Sequence, residues 1–267
     1  MIKNIKLFVN DNKKSFEVGK VVKEKLNQNG FNITKKNFDL AIAVGGDGAF
    51  LRMVKTNNFS NKPYYVGINA GTLGFMQEVK VDEISKFIEE IKNGKFAVDV
   101  IGIQETEVKH KEGNSRFCSL NEIVIRDENF RLLRAGISIN KDEDLLENFV
   151  GDGILITTSS GSTAHNLSYG GSIVFPNFST LQITPLGPIN SKSYRTLPNS
   201  VIIPDHQKII INPDNKNLMV TIDGENNIYQ DVENITTEIA NKKIKLLRFS
   251  HYNFPQKINE KLLSNEN

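Results

Sequence analysis

The chain has 267 residues, 39% of them hydrophobic and 24% charged, with a formal net charge of +2. That is apolar content for one large core or two modest ones, and charges this nearly balanced exclude the basic field that nucleic-acid binding needs. A single cysteine, Cys118, excludes a disulfide framework within the chain; it suits a reducing compartment and reads as a buried core thiol.

Ile5 to Val9 predicts a first strand, too short for a signal sequence or a membrane span. Nothing later reaches spanning length, so the expectation is a soluble, cytoplasmic protein without membrane or nucleic-acid partners. Lys14 to Asn29 predicts a helix, with Phe16, Val18, Val21, Val22 and Leu26 near helical spacing and Gly30 as its stop. Phe38 to Val44 and Tyr64 to Asn69 read as buried strands, Ala49 to Thr56 as a helix, and Asp82 to Lys92 as a helix with Ile84, Phe87, Ile88 and Ile91 on one face. Strands alternating with helices imply a parallel, doubly wound, Rossmann-like sheet over residues 1–97.

From residue 98 to 249 short β-rich segments take over: Gln104 to Lys109, Phe117 to Ile125, Ala135 to Asn140, Ile154 to Thr158, Leu181 to Thr184, Val201 to Ile203, Lys208 to Ile211, Leu218 to Ile222, Ile235 to Ala240 and Lys243 to Arg248. Turn chemistry separates them, including Glu112-Gly113-Asn114 and Asp223-Gly224. This predicts an all-β domain with one short helix after Ser162. In the tail, residues 250–267, Gln256 to Ser264 reads as helical after Pro255.

Gly45-Gly46-Asp47-Gly48 joins a buried strand to a helix start. Free N–H groups and the positive end of a helix dipole converge at such a junction and favour an anion, and glycine lets the main chain approach a phosphate closely. A carboxylate in that turn would be repelled by the phosphate, so Asp47 is a candidate general base. Three further segments carry polar chemistry. Ala70-Gly71-Thr72-Leu73-Gly74-Phe75 falls at the carboxyl end of a strand, where open α/β sheets bind ligands. Asn121 and Glu122 interrupt an apolar run, where unpaired polar groups are costly. Gly151-Asp152-Gly153 leads through a strand into Ser160-Gly161-Ser162-Thr163-Ala164-His165-Asn166. Each also has a bland reading, as a hairpin turn, a satisfied core pair or a helix cap. Walker, dinucleotide-fingerprint, zinc-protease and nucleophile-elbow motifs are missing. Ser162 and His165 could meet on a helix, but no orienting acid accompanies them.

Together, in this order and spacing, these four segments resemble the NAD kinase family over most of the chain. Gly-Gly-Asp-Gly alone is shared with diacylglycerol and sphingosine kinases and with related phosphofructokinases. The resemblance implies an α/β domain, then a β-sandwich-like domain, with the tail (250–267) packing back on the first. It implies transfer of the γ-phosphoryl of ATP, or in some members of polyphosphate, to the 2′-hydroxyl of the adenosine ribose of NAD. Asp47 would be the base, Gly45, Gly46 and Gly48 the phosphate loop, and Mg²⁺ would arrive with ATP. Asn121 would read the adenine edge, Glu122 the ribose hydroxyls, and Asp152 the nicotinamide end. Ser160, Thr163, Ala164, His165, Asn166 and Ser168 would line the dinucleotide, with Phe75 walling the pocket, Arg52 reaching a phosphate, and Gly187 and Glu225 on the dinucleotide side. The resemblance further implies a homo-oligomer, most simply a tetramer.

Val150, His165 and Glu225 depart from the family pattern, which often has a basic residue, a tyrosine and a glutamine there. At an ordinary pKa near 6.5, His165 would bring a titratable cation to the ligand. The competing readings are a lipid kinase using the same glycine loop and a non-catalytic dinucleotide sensor.

Overall fold

Hydrophobic residues at strand and helix spacing in the first hundred positions resolve into alternating elements in the computed structural model, which describes residues 2–71, 74–249 and 252–264. The chain divides into two units, Met1–Val100 with Lys243–Asn267, and Ile101–Lys242.

The first unit begins with β1 (Asn4–Val9), α1 (Lys13–Gln28), β2 (Asn32–Ile33), β3 (Leu40–Gly45), α2 (Asp47–Thr56) and β4 (Tyr64–Asn69). A 3-10 turn, Val81–Glu83, then leads into α3 (Ile84–Lys92). Asn12 caps α1 by accepting the Ser15 N–H at 2.9 Å, so the helix opens where its orphan donors find a side chain. The strands run parallel in the order β2-β1-β3-β4. Lys245 and Leu246 add a further parallel strand beside Tyr64 and Tyr65. Leu40, Ile42 and Val44 share a core with Val18, Val22 and Leu26 of α1 and Ile84, Phe87, Ile88 and Ile91 of α3. Ala41 and Ala43 alternate to the other face, where α2 packs on β3 and β4 through buried Phe50 and Met53. Helices on both faces make the sheet doubly wound. The connections from β1 and from β3 leave in opposite directions, so the carboxyl ends of these two strands form the switch point at which open α/β sheets take ligands.

In the second unit β5 (Ala97–His110) enters from the first unit and is followed by β6 (Gly113–Ser119), β7 (Glu122–Asp127), β8 (Leu133–Ile139), β9 (Leu145–Gly151) and β10 (Gly153–Thr158). After a 3-10 turn, Ser160–Thr163, come α4 (His165–Ser168), β11 (Thr180–Leu186), β12 (Val201–Pro204), β13 (Ile209–Pro213), β14 (Leu218–Ile222), β15 (Glu225–Tyr229) and β16 (Asn234–Arg248). One antiparallel sheet has the order β12-β11-β10-β7-β14-β15, and the other contains β13, β8 and β9, with Ile235 to Thr237 of β16 along β13. Ile123, Ile125, Ile154, Ile156, Leu181 and Val220 of the first sheet bury against Ile137, Phe149, Ile209 and Ile211 of the second in one core. That is a sandwich.

The region expected as one strand, Phe117 to Ile125, is broken at Leu120-Asn121, because the chain passes there from β6 in one sheet to β7 in the other. Conversely, Ile235 to Ala240 and Lys243 to Arg248 fuse into β16, the polar Asn241 and Lys242 remaining exposed in an unbroken strand. The helix expected after Ser162 is a 3-10 turn and the four-residue α4, interrupted at Ala164 by non-helical backbone (φ −94°, ψ −131°). β9 and β15 were not anticipated: Glu147 and Asn148 interrupt the apolar residues of β9, and β15 carries Glu225, Asn226 and Asn227.

The chain rejoins the first unit at Lys243, inside the stretch read as β-rich, because the end of β16 pairs with β4. The tail forms α5 (Phe254–Ile258) and one π-helical turn, Asn259–Leu263. Asn253 caps α5 by accepting the Gln256 N–H at 2.9 Å, and Pro255 occupies the first turn, where no N–H is required. No helix among the described residues is long and apolar enough to cross a membrane.

Candidate active site

In the first unit the glycine loop ends β3 and begins α2. Gly45 has φ +152°, and a Cβ there would meet the Cβ atoms of Ala49 and Asn10 at 2.9 Å, so only glycine fits the turn. Gly46 is the N-cap and Asp47 the first helical residue, which puts a carboxylate at the positive end of the α2 dipole. Gly46 and Gly48 are exposed beside it. Asp47 is held from across the unit: its Oδ2 accepts the Phe75 N–H at 3.0 Å and its Oδ1 the Met76 N–H at 2.9 Å. Gly74 makes the room, since a Cβ there would stand 2.1 Å from Asp47 Oδ1. The two glycine-bearing segments are therefore one device for fixing one carboxylate. Thr72 and Leu73 of the second segment lie outside the described residues. Phe75 is buried, its ring 6.2 Å from that of Phe254 in the tail.

Arg52 is exposed one turn after the loop. Its Nη2 donates to Asn10 Oδ1 at 2.5 Å, and it lines a hollow of about 270 Å³ with Phe8, Asn10, Asp11 and Met53 at the carboxyl end of β1. The tail lysine Lys261 places its Nζ 3.8 Å from Asp47 Oδ2.

In the second unit Asn121 and Glu122 sit at the entry to β7, both buried. Asp223 accepts the N–H groups of Leu120 and Asn121 at 2.8 Å and of Glu122 at 3.2 Å. Thr157 donates to the Asn121 carbonyl at 2.9 Å and Thr158 to that of Leu120 at 2.6 Å. The main chain is thus held while two side-chain atoms, Asn121 Oδ1 and Glu122 Oε2, are buried with no hydrogen-bond partner among the described residues. Unpaired buried polar atoms are costly, and a polar ligand would satisfy both. Burial, with the charge of Asp223 second, pushes the Glu122 carboxyl up to about 8. At neutral pH it is a protonated acid, able to donate as well as accept.

The turn Ser160–Thr163 lies against this pair: a Cβ on Gly161 would be 2.4 Å from the Asn121 carbonyl oxygen. Ser160 is buried; Thr163 and Ala164 are half-buried. Ser162 and His165 do not meet. The Ser162 hydroxyl is buried and donates to the Ser159 carbonyl at 2.7 Å, whereas His165 is exposed with its ring 5.0 Å from that of Tyr169. The Ser–His hydrolase reading is therefore excluded. Tyr169 Oη accepts from Arg126 Nη2 at 2.8 Å. Burial, then the Arg126 charge, pushes His165 below the usual histidine range. Asn166 is fully buried, donating to the carbonyls of Ser162 and Ser172 and accepting from Thr184 at 2.6 Å. Its amide shapes the run from within. Ser168 is exposed at the end of α4.

Asp152 and Gly187 come together: a Cβ on Gly187, which has φ +52°, would fall 2.3 Å from Asp152 Oδ2. Glu225 is exposed at the start of β15, just after the turn in which Asp223 and Gly224 both have positive φ.

Asp223, Met76 and Lys261 were missed in the sequence. The Asp223-Gly224 pair read as a hairpin turn and hid a side chain that reaches back to residues 120–122. Met76 acts through its backbone, which leaves no side-chain signature. The four-residue spacing of Lys257 and Lys261 was the available signal in the tail.

Residues 3–96 match the ATP-NAD kinase N-terminal domain and residues 120–248 the ATP-NAD kinase C-terminal domain. Among curated relatives, an NAD kinase of Finegoldia magna is 38% identical over 257 residues, covering 92% of this chain and 93% of that one. An NAD kinase of Staphylococcus aureus is 30% identical over 235 residues, covering 86% and 87%. Among solved structures, yeast NADH kinase complexed with NADH superposes with a TM-score of 0.86 at 21% identity, covering 100% of this chain and 89% of that one. An NAD kinase from Archaeoglobus fulgidus in complex with ATP gives 0.76 at 18% identity, covering 97% and 99%. Two domain matches in chain order and relatives aligned over 86% and 92% of the chain identify it as a member of the NAD kinase family.

Proposed function

We propose that this chain transfers the γ-phosphoryl group of ATP to the 2′-hydroxyl of the adenosine ribose of NAD, with Asp47 as general base. The 2′-oxygen bonds to the γ-phosphorus, its proton passes to Asp47, and the bridging oxygen leaves on ADP. The observation that carries the reading is the Asp47 carboxylate at the first turn of α2, gripped by the Phe75 and Met76 N–H groups. A base aligned in advance costs no reorganisation when the proton moves. Gly45, Gly46 and Gly48 give the triphosphate an approach to main-chain N–H groups. Mg²⁺ enters as part of the ATP substrate, bound by phosphate oxygens and water.

On this reading Asn121 meets the adenine edge and Glu122 the ribose hydroxyls, which supplies partners for the two buried unpaired oxygens. Asp152, with Gly187 against it, serves the nicotinamide end; Ser160, Thr163, Ala164, His165 and Ser168 contact the dinucleotide, Phe75 walls it, and Asn166 holds their run in shape. Arg52 and Glu225 contribute at the rim. Buried polar atoms that ask for polar partners favour a dinucleotide over the acyl chain of a lipid.

A homotetramer in the cytoplasm completes the proposal. The edge strands β12 and β15 expose Ile202 and Ile228, edges that a partner copy would cover, and Cys118 is a free thiol. The deciding experiment incubates the purified protein with ATP, Mg²⁺ and NAD and reads NADP with an NADP-specific dehydrogenase. No product from NAD, with a sphingoid base or diacylglycerol phosphorylated instead, would give the lipid kinase reading its place. Sedimentation finding only monomer at micromolar concentration would remove the tetramer.

A further inference from the structure

We propose that Lys261, delivered by the C-terminal tail, is a catalytic residue whose ammonium meets the transferring phosphoryl group beside Asp47. The inference rests on Asp47 being the base of the reaction proposed above.

Three side chains of the tail, at positions 254, 257 and 261, fall on one helical face, and all three reach the stretch Phe75 to Glu78 or the carboxylate it holds. Phe254 is buried against the Phe75 ring. Lys257 Nζ donates to the Gln77 carbonyl at 2.5 Å and lies 3.4 Å from Glu78 Oε2. Lys261 Nζ is 3.8 Å from Asp47 Oδ2 and 4.9 Å from the centre of the Phe75 ring. The Phe75 and Met76 N–H groups are the ones that grip Asp47. The tail therefore braces the segment that aligns the base and sets a cation next to it.

Two features separate Lys261 from a structural pin. Asp47 already has both oxygens aligned by backbone N–H groups, so its orientation does not require the lysine. At 3.8 Å the ammonium stands outside hydrogen-bond range, whereas Lys257, with a side chain only 12% exposed, is committed to Gln77 and Glu78. The Lys261 side chain is 34% exposed. It is a point charge on a flexible stem with donors available for phosphate oxygens. Such a charge is useful here. A carboxylate beside a triphosphate is repelled by it, and the equatorial oxygens of the passing phosphoryl group need compensating charge. Of the other cations near Asp47, Lys257 is taken by Glu78 and Arg52 is turned to Asn10.

The test uses the full chain, unchanged and as Lys261→Met and Lys261→Arg, assayed for NADP formation from NAD, ATP and Mg²⁺, with thermal melts alongside. Removing one such donor from a partly exposed position is expected to lower kcat by about 10- to 100-fold, with KM for NAD held within about threefold, an unchanged melt, and recovery of most of the rate in Lys261→Arg. A Lys261→Met enzyme within about threefold of the original kcat would overturn the inference. So would a loss confined to KM for NAD, or a lowered melting temperature that arginine does not restore. No NADP from the unchanged protein would overturn the underlying reading and the inference with it; NADP from the unchanged protein and equally from Lys261→Met would overturn the inference alone.

Discussion

Asp223 and Glu122 are two carboxyl groups brought together from distant segments and held in opposite circumstances. Asp223 accepts the Glu122 N–H at 3.2 Å and two further N–H groups at 2.8 Å, while the Glu122 side chain is buried with Oε2 unpartnered. Its carboxyl is pushed from 4.5 to about 8, first by burial and then by Asp223. The folded value lies above the unfolded one, so the native state keeps a proton that the unfolded chain releases. The resulting stability is fully present below pH 4.5 and is lost as pH rises toward about 8. The slope in that window is at most ~1.4 kcal/mol per pH unit. Urea midpoints of the unchanged protein should fall across it more steeply than those of Glu122→Gln, which mimics the neutral acid. Parallel curves would show that Glu122 does not titrate there.

Asn121→Ala and Glu122→Ala each remove an atom that the fold buries without a partner. Stability should not fall, because the backbone of residues 120–122 is held by Asp223, Thr157 and Thr158. NAD binding should weaken by about 10-fold or more, the scale of a lost hydrogen bond in a buried site, and ATP binding should be nearly unaffected. Equal losses for both nucleotides with a lowered melting temperature would make the pair structural.

Asp47→Asn keeps the shape of the side chain but not its basicity, and should lower kcat by about 10²- to 10⁴-fold while NAD still binds. The amide offers one acceptor where the carboxylate accepts two N–H groups, so a small drop in melting temperature should accompany it. Gly74→Ala tests the same alignment from the other side. Its methyl group would enter the space of Asp47 Oδ1, so the carboxylate must move and kcat should fall although no reacting group has been changed. Gly74→Ala with undiminished kcat would show that the alignment does not matter.

Much of this site was legible because it is built from backbone constraints that leave a residue signature. Gly45 and Gly74 are glycines for want of space, the first in a segment recognisable as a phosphate loop and the second in a glycine-rich segment at the carboxyl end of a strand. Asn121 and Glu122 were conspicuous as polar residues in an apolar strand. Contacts between segments distant in sequence were not legible. Asp223 looked like half of a hairpin turn, and nothing local announces that its carboxylate reaches residues a hundred positions earlier. The break between β6 and β7 was hidden for the same reason: apolar residues continue through it while the chain changes sheet. Asn166 shows the reverse limit, standing in the predicted binding run while its amide is consumed internally.

His165 tests how a substituted position works within a family site. Its ring is exposed against Tyr169, so a larger ring there would not enter a packed core, and His165→Tyr should leave the melting temperature nearly unchanged. Protonation is also less available than an ordinary imidazole would suggest. Partial desolvation lowers its pKa from 6.5 although the residue is exposed overall, and the charge of Arg126, hydrogen-bonded to the neighbouring Tyr169, lowers it further. With its pKa held below the ordinary value, His165 takes up its proton at lower pH than a free imidazole, and any gain in NAD affinity from that proton is displaced to lower pH with it. NAD titrations of the unchanged protein and of His165→Tyr should agree near pH 7.5 and diverge as pH falls and the imidazole takes up its proton. Arg126→Ala should move the His165 titration, followed by its ring-proton NMR signal, back toward the ordinary value. A His165 signal in the unchanged protein titrating at or above pH 6.5 would mean that neither burial nor Arg126 governs this residue.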